Sequence, residues 1–114
     1  MSKLAPHHKK RHVVNERDKA HMARVRGLGC IVCFNETDEL GVPAEIHHLR
    51  SHPLNGTHLG LGQRAPHTHT IPLCPAHHRG PFGVGYHGGP GEFQRLFGTE
   101  AELWAQVGLL LEAG

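Results

Sequence analysis

The sequence has no apolar run approaching the ~20 residues that a membrane-crossing helix requires. The N-terminal MSKLAPHHKKRHVV carries charge but no apolar segment of the kind that opens a secretory leader. Cysteine is scarce and odd in number, at three, so no internal scheme pairs them all. In a reducing compartment a Cys-x-x-Cys pair is more readily a metal site than a bridge. These absences lead to the expectation of a cytoplasmic protein. The glycine-rich stretch Gly80 to Gly91 lacks the Gly-Lys-Ser/Thr ending of a phosphate-binding loop, which argues against nucleotide binding there. There is no internal repeat.

What is present is a chain of 114 residues, enough for one domain with a modest core. It contains 13 Leu, 3 Ile, 7 Val and 4 Phe, close to a quarter of the chain and above the level of a disordered protein. So thin a core calls for a staple, and the composition offers the material in three cysteines and 13 histidines.

Charge is unevenly spread. Residues 1–27 hold Lys3, Lys9, Lys10, Arg11, Arg17, Lys19, Arg24 and Arg26 against Glu16 and Asp18, while the remainder is net acidic. Such a block is often a solvated tail; its sharper reading is a sequence-independent grip on nucleic-acid phosphates. Residues 1–12, polar and interrupted by Pro6, read as a flexible basic arm preceding a single domain over 13–114.

Asn15 can cap a helix over about 16–26, with Asp18 in its first turn, Arg24 and Arg26 in its last, Gly27 as its stop, and Met22 and Val25 facing inward. Cys30 to Cys33 reads as a tight knuckle. Pro43 to Leu49 reads as a strand carrying Ile46 inward and Thr70 to Cys74 as a second one. The intervening loop, Ser51 to His69, is long for a compact domain, and loops of that length tend to be functional. The chain closes with a short helix near Glu92 to Phe97, a stop at Gly98, and a longer helix opened by the capping box Thr99-x-x-Glu102. In it Leu103, Val107, Leu110 and Leu111 form an ordinary core stripe.

Cys30-x-x-Cys33 and, 41 positions after its second cysteine, Cys74-x-x-His77 form two pairs of equal spacing. Four such donors match a closed tetrahedral zinc site, whose binding free energy is folding free energy. The bland alternative, three buried core thiols, leaves the matched spacing unexplained. His47, His48, His69, His78 and His87 remain close to the strands and knuckles, where a second cluster would form. His7, His8, His12 and His21 read as solvated surface, and His52, His58 and His67 lie in the long loop with no direction indicated. A neutral imidazole can take a proton from water while others hold a divalent ion, a combination suited to phosphodiester hydrolysis.

The order Cys-x-x-Cys, then Ala44-Glu45-Ile46-His47-His48-Leu49, then His69-Thr70-Ile71-Pro72-Leu73-Cys74-Pro75-Ala76-His77-His78 resembles zinc-stapled HNH endonucleases of the ββα-metal type. More narrowly it resembles the phage recombination-enhancement nucleases, the Ref family of RecA-dependent DNA endonucleases. The likeness continues through Gly85-Tyr86-His87 and Phe97-Gly98-Thr99-Glu100-Ala101-Glu102-Leu103, and so covers roughly residues 20–111. It implies an α+β fold, a small ββα-metal (HNH or His-Me finger) domain with flanking helices and long loops. It also implies structural Zn²⁺ on Cys30, Cys33, Cys74 and His77, and catalytic Mg²⁺ or Mn²⁺ on His47, His78 and His87. His48 would be the general base on the attacking water. His69, near the position of the motif's central asparagine, or a backbone carbonyl, would orient that base. His87 would serve as a ligand or a leaving-group contact. Lys9, Lys10, Arg11, Arg17, Lys19, Arg24 and Arg26 would hold DNA, with a RecA filament as a further partner, in a bacterial cytoplasm reached through a phage or prophage. One departure concerns the final helix of the motif. Gly80-Pro81 would break a helix begun at the second knuckle, so that helix is either very short or displaced to Glu92 to Phe97. A rival reading keeps the zinc and the DNA contact but no chemistry: a zinc-stapled nucleic-acid-binding module.

Overall fold

A computed structural model describes residues 14–114. The arm, with His7, His8, Lys9, Lys10, Arg11 and His12, lies outside the described residues. In chain order the elements are α1 (Glu16–Leu28), α2 (Ile31–Thr37), β1 (Glu45–His48), β2 (Thr70–Leu73), α3 (Pro75–Arg79), α4 (Pro90–Phe97) and α5 (Glu100–Ala113). Helices and one small antiparallel sheet make this an α+β fold.

The start of α1 is the expected one, with the Asn15 side chain accepting from the Asp18 amide at 2.8 Å. Its end is later than expected. Gly27 stays helical, a penalty of about 1 kcal/mol at most, and the break falls at Gly29, whose φ is 81°. A Cβ on Gly29 would sit 2.5 Å from the backbone nitrogens of Gly41 and Val42, so only glycine lets the returning chain pass there. The Cys30 to Cys33 knuckle is also not an isolated turn. Cys30 caps α2, its sulfur accepting from the Cys33 amide at 3.4 Å. Ile31 and Val32 are buried beneath it, and that burial outweighs the weak helix propensity of β-branched residues.

β1 and β2 pair with Glu45 opposite Leu73, Ile46 opposite Pro72, His47 opposite Ile71 and His48 opposite Thr70. Pro72 is tolerated because a two-stranded sheet has only edges. Ile46 packs against the core as expected, half-buried, but the most buried side of the strand is the other one, where His47 is 1 % exposed and Leu49 fully buried. Side chains of a strand alternate, and in β1 the buried side belongs to the histidine. Every residue of β2 is buried.

α1 and α5 pack against each other and against β2. Val25, Ile31, Val32, Leu49, Ile71, Leu73, Phe93, Leu103 and Val107 form the core, with Leu110 and Leu111 against its margin. The Thr99 and Glu102 capping box is formed in both directions. The Arg24 guanidinium donates to the Leu111 carbonyl at 2.9 Å, fastening α1 to the C-terminal turn of α5. α3 is a single turn, begun by Pro75 and ended at Gly80, as the Gly80-Pro81 pair requires. The glycine loop after it folds back, the Tyr86 amide reaching the His77 carbonyl at 2.8 Å and the His87 amide reaching that of His78 at 3.1 Å.

Candidate metal centres

Two clusters of metal-binding side chains lie side by side, and α3 contributes to both. In the first, the ligand atoms of Cys30, Cys33, Cys74 and His77 all fall within 4.8 Å of one another. The Cys33 and Cys74 sulfurs are 3.9 Å apart, and His77 Nδ1 is 3.6, 3.7 and 3.2 Å from the sulfurs of Cys30, Cys33 and Cys74. A tetrahedral zinc with bonds of ~2.3 Å to sulfur and ~2.0 Å to nitrogen has edges of about 3.8 Å and about 3.5 Å. The donor set therefore already has the dimensions of such a site and can hold a zinc ion. Local folding explains the convergence. The Cys30 cap turns Cys30 and Cys33 the same way at the start of α2, and Cys74 stands at the end of β2 with His77 one turn later. Burial, and after it the neighbouring Cys30 and Cys74 sulfurs, push the Cys33 thiol up to about 12. Burial likewise raises the Cys30 thiol, so Cys30 and Cys33 are poor acids by themselves and need a cation to become thiolates.

The second cluster is His47, His78 and His87, one ligand atom of each within 4.8 Å of the others. The ring centroids of His47 and His78 are 5.3 Å apart, those of His47 and His87 5.2 Å, and those of His78 and His87 4.9 Å. Burial, then the neighbouring His47 and His78, lower the pKa of His87, favouring the neutral, metal-binding form. Two of the rings are backed by carboxylates. Glu100 meets His47 Nε2 at 2.6 Å, and Glu45 meets His78 Nδ1 at 2.8 Å. A carboxylate on one ring nitrogen fixes a proton there and leaves the lone pair on the other, the usual arrangement behind a ligating histidine. Glu45 is itself held by Arg79; hydrogen bonds from Arg79 and then His78 lower its pKa to about 2. Glu100 is buried as the first residue of α5, where the helix dipole favours a negative charge. It also accepts from the Arg50 amide at 3.0 Å. Tyr86 packs on His47 at 4.5 Å between centroids. His47 closes the inner side of the cluster, and the exposed His87 leaves the outer side open to solvent.

His48 follows His47 on the strand and so leaves it on the other side. Its Nε2 lies 2.9 Å from Nδ1 of His67. Burial, followed by the charges of Arg64 and His67, lowers its pKa to about 4, so it is neutral at pH 7. His69, expected to orient His48, stands elsewhere: its ring packs on His52 and Trp104 at 5.2 and 5.6 Å. The neighbour that does meet His48 is His67, delivered by the long loop, whose course Arg50 pins by donating to the Gln63 carbonyl at 2.8 Å and the Gly60 carbonyl at 3.3 Å. Of the basic residues assigned to DNA, Arg17 and Arg26 are exposed on α1, Lys19 pairs with Glu16 at 3.8 Å, and Arg24 is engaged by α5.

Sequence reasoning gave no role to Glu45, Glu100, Tyr86 or His67. A signal existed for Glu45, since two positions before His47 on a strand is the same face. For Glu100 the only signal was an acidic residue in the first turn of a helix, which ordinarily means no more than dipole compensation.

No protein-family model matches the chain, and no curated protein matches it. Among the described residues no helix is long and apolar enough to cross a membrane.

Proposed function

We propose that the protein is a metal-dependent DNA endonuclease of the HNH type, similar to the Ref nucleases, with zinc on Cys30, Cys33, Cys74 and His77 and a catalytic Mg²⁺ or Mn²⁺ on His47, His78 and His87. The observation that carries the reading is the second cluster: three imidazoles, two with a carboxylate behind the ring, open to solvent on one side. A structural knuckle has no use for it. A divalent ion at that position supplies positive charge to the phosphoryl and leaving oxygens and makes water a better nucleophile.

The protein's own groups do the rest. Glu100 and Glu45 hold protons on His47 Nε2 and His78 Nδ1, which leaves each ring's other nitrogen unprotonated and able to hold a divalent ion. His48 is the general base: its Nε2–H donates to His67, and its Nδ1 takes the proton from water. His47, His78 and His87 would hold the divalent ion that binds the phosphodiester, and His48, the next residue of β1 after His47, would act on the water. Arg17, Lys19 and Arg26, with Lys9, Lys10 and Arg11 of the arm, contact backbone phosphates without reading bases.

The test is incubation of the purified, zinc-loaded protein with plasmid DNA and Mg²⁺ or Mn²⁺, with and without RecA filaments. Expected are strand breaks that disappear in His47→Ala while zinc content is kept. Absence of breaks under every condition, with zinc content and fold intact, overturns the proposal. DNA binding under those same conditions would leave a zinc-stapled binding module in its place.

A further inference from the structure

The glycine loop between α3 and α4 carries Phe82, 70 % exposed. A single exposed apolar residue is ordinary; the way this one is held is not. A Cβ on Gly85 would lie 2.2 Å from the Gly80 nitrogen, one on Gly88 2.2 Å from the Gly80 carbonyl oxygen and 2.9 Å from the Phe82 nitrogen, and one on Gly89 2.7 Å from the Phe82 ring. Three glycines thus let the loop close on itself and let the ring lie against bare backbone. Hydrogen bonds from the Val84 and Gly85 amides to the Pro81 carbonyl, at 2.9 and 3.0 Å, tighten the turn further. The ring rests against Gly89, and the Phe82 backbone lies against Gly88, the residue after the exposed His87, so Phe82 is carried by the same loop as that histidine. A fold that spends this much close packing on one loop would be expected to turn a large apolar ring inward. Here it holds the ring outward, on the loop that carries His87.

We infer that Phe82 is a stacking platform for an unpaired base next to the phosphodiester at the histidine cluster, and that the site prefers single-stranded DNA, or a duplex opened at the cut, over intact duplex. The inference rests on the proposed nuclease reading and deepens it by naming the substrate's form. A flat aromatic face offered to solvent matches the π-face of any base, which gives affinity without sequence preference. In an intact duplex the bases are stacked on each other and offer no such face.

The experiment is direct binding of the zinc-loaded protein, without other divalent ions so that cleavage does not intervene, to a labelled single-stranded oligonucleotide and to its duplex. A second oligonucleotide carries 2-aminopurine, whose emission reports stacking. Phe82→Ala should weaken single-strand binding about five- to a hundredfold, the range that follows from losing one stacked base, and change duplex binding less than about twofold. Phe82→Trp should restore it, and the 2-aminopurine signal should change with wild type and not with Phe82→Ala. Equal affinities of wild type and Phe82→Ala for the single strand, or equal losses on both DNAs, overturn the inference. The nuclease reading falls separately, on the plasmid assay, since DNA uncut by a wild-type protein that still stacks a base through Phe82 would leave binding without chemistry.

Discussion

Replacing Glu100 by glutamine keeps the volume of a buried side chain and removes its charge. The carboxylate accepts from His47 Nε2 at 2.6 Å and from the Arg50 amide at 3.0 Å. Both partners are donors. A glutamine amide has one oxygen for the two and must turn its NH₂ toward one of them, leaving a buried donor without an acceptor at a cost of about 1–3 kcal/mol. For a domain of this size each 1 kcal/mol lowers the melting temperature by about 4–8 °C. The sharper effect is on the ion. If the amide oxygen stays on Arg50, the NH₂ faces His47 Nε2, the ring's proton moves to the other nitrogen, and the lone pair meant for the cluster is lost. Loss of such an outer partner typically weakens a metal site about 10- to 100-fold. Calorimetric titration of Mn²⁺ into the zinc-loaded protein, wild type against Glu100→Gln, reads the affinity directly, and a thermal melt reads the stability. Unchanged Mn²⁺ affinity in a folded Glu100→Gln protein would refute the claim that Glu100 sets the His47 ring for metal.

Removing zinc with a strong chelator, or substituting Cys74→Ser, should unfold the domain, since the site joins α2, β2 and α3; circular dichroism followed against zinc content checks this, and a fold retained after full zinc loss contradicts it. The His48 imidazole should titrate near pH 4 by NMR. Because that value lies below the ordinary 6.5, the unfolded chain binds the extra proton more readily, and this group withdraws stability as pH falls from about 6.5 to 4; an NMR midpoint near 6.5 would exclude the buried setting described. His48→Ala should reduce cleavage about 10²- to 10⁴-fold, the usual worth of a general base, with zinc content intact, whereas His69→Ala, its ring beside Trp104, should leave cleavage within a few-fold. Reversal of that order in the plasmid assay would return the orienting role to His69.

The four sulfur and nitrogen donors of the first cluster were legible because a metal knuckle writes its ligands at fixed short spacing. So were the Asn15 cap and the Thr99 capping box, which are local contacts between near neighbours. His47, His78 and His87 were singled out by proximity to the strands and by resemblance, and the structure brings those three together. What spacing could not supply were contacts between distant segments. Glu100 reaches His47 across 53 positions and Glu45 reaches His78 across 33, and nothing local in either stretch encodes the meeting. His67 was beyond reach because the path of a long loop depends on where Arg50 fastens it. The deep burial of His47 is a different case. Alternation gives two faces, and the usual rule sends the aliphatic one inward; in β1 Ile46 does pack on the core, but the more buried face belongs to an imidazole whose Nε2 is met by a carboxylate.

His77 and His78 are consecutive on the one turn of α3, yet each serves a different cluster. That turn is therefore a hinge pin common to two locks. Whatever moves the inner lock also shifts the outer one, and Mn²⁺ uptake by the histidine trio is expected to fall when zinc is withdrawn from its sulfur-lined neighbour.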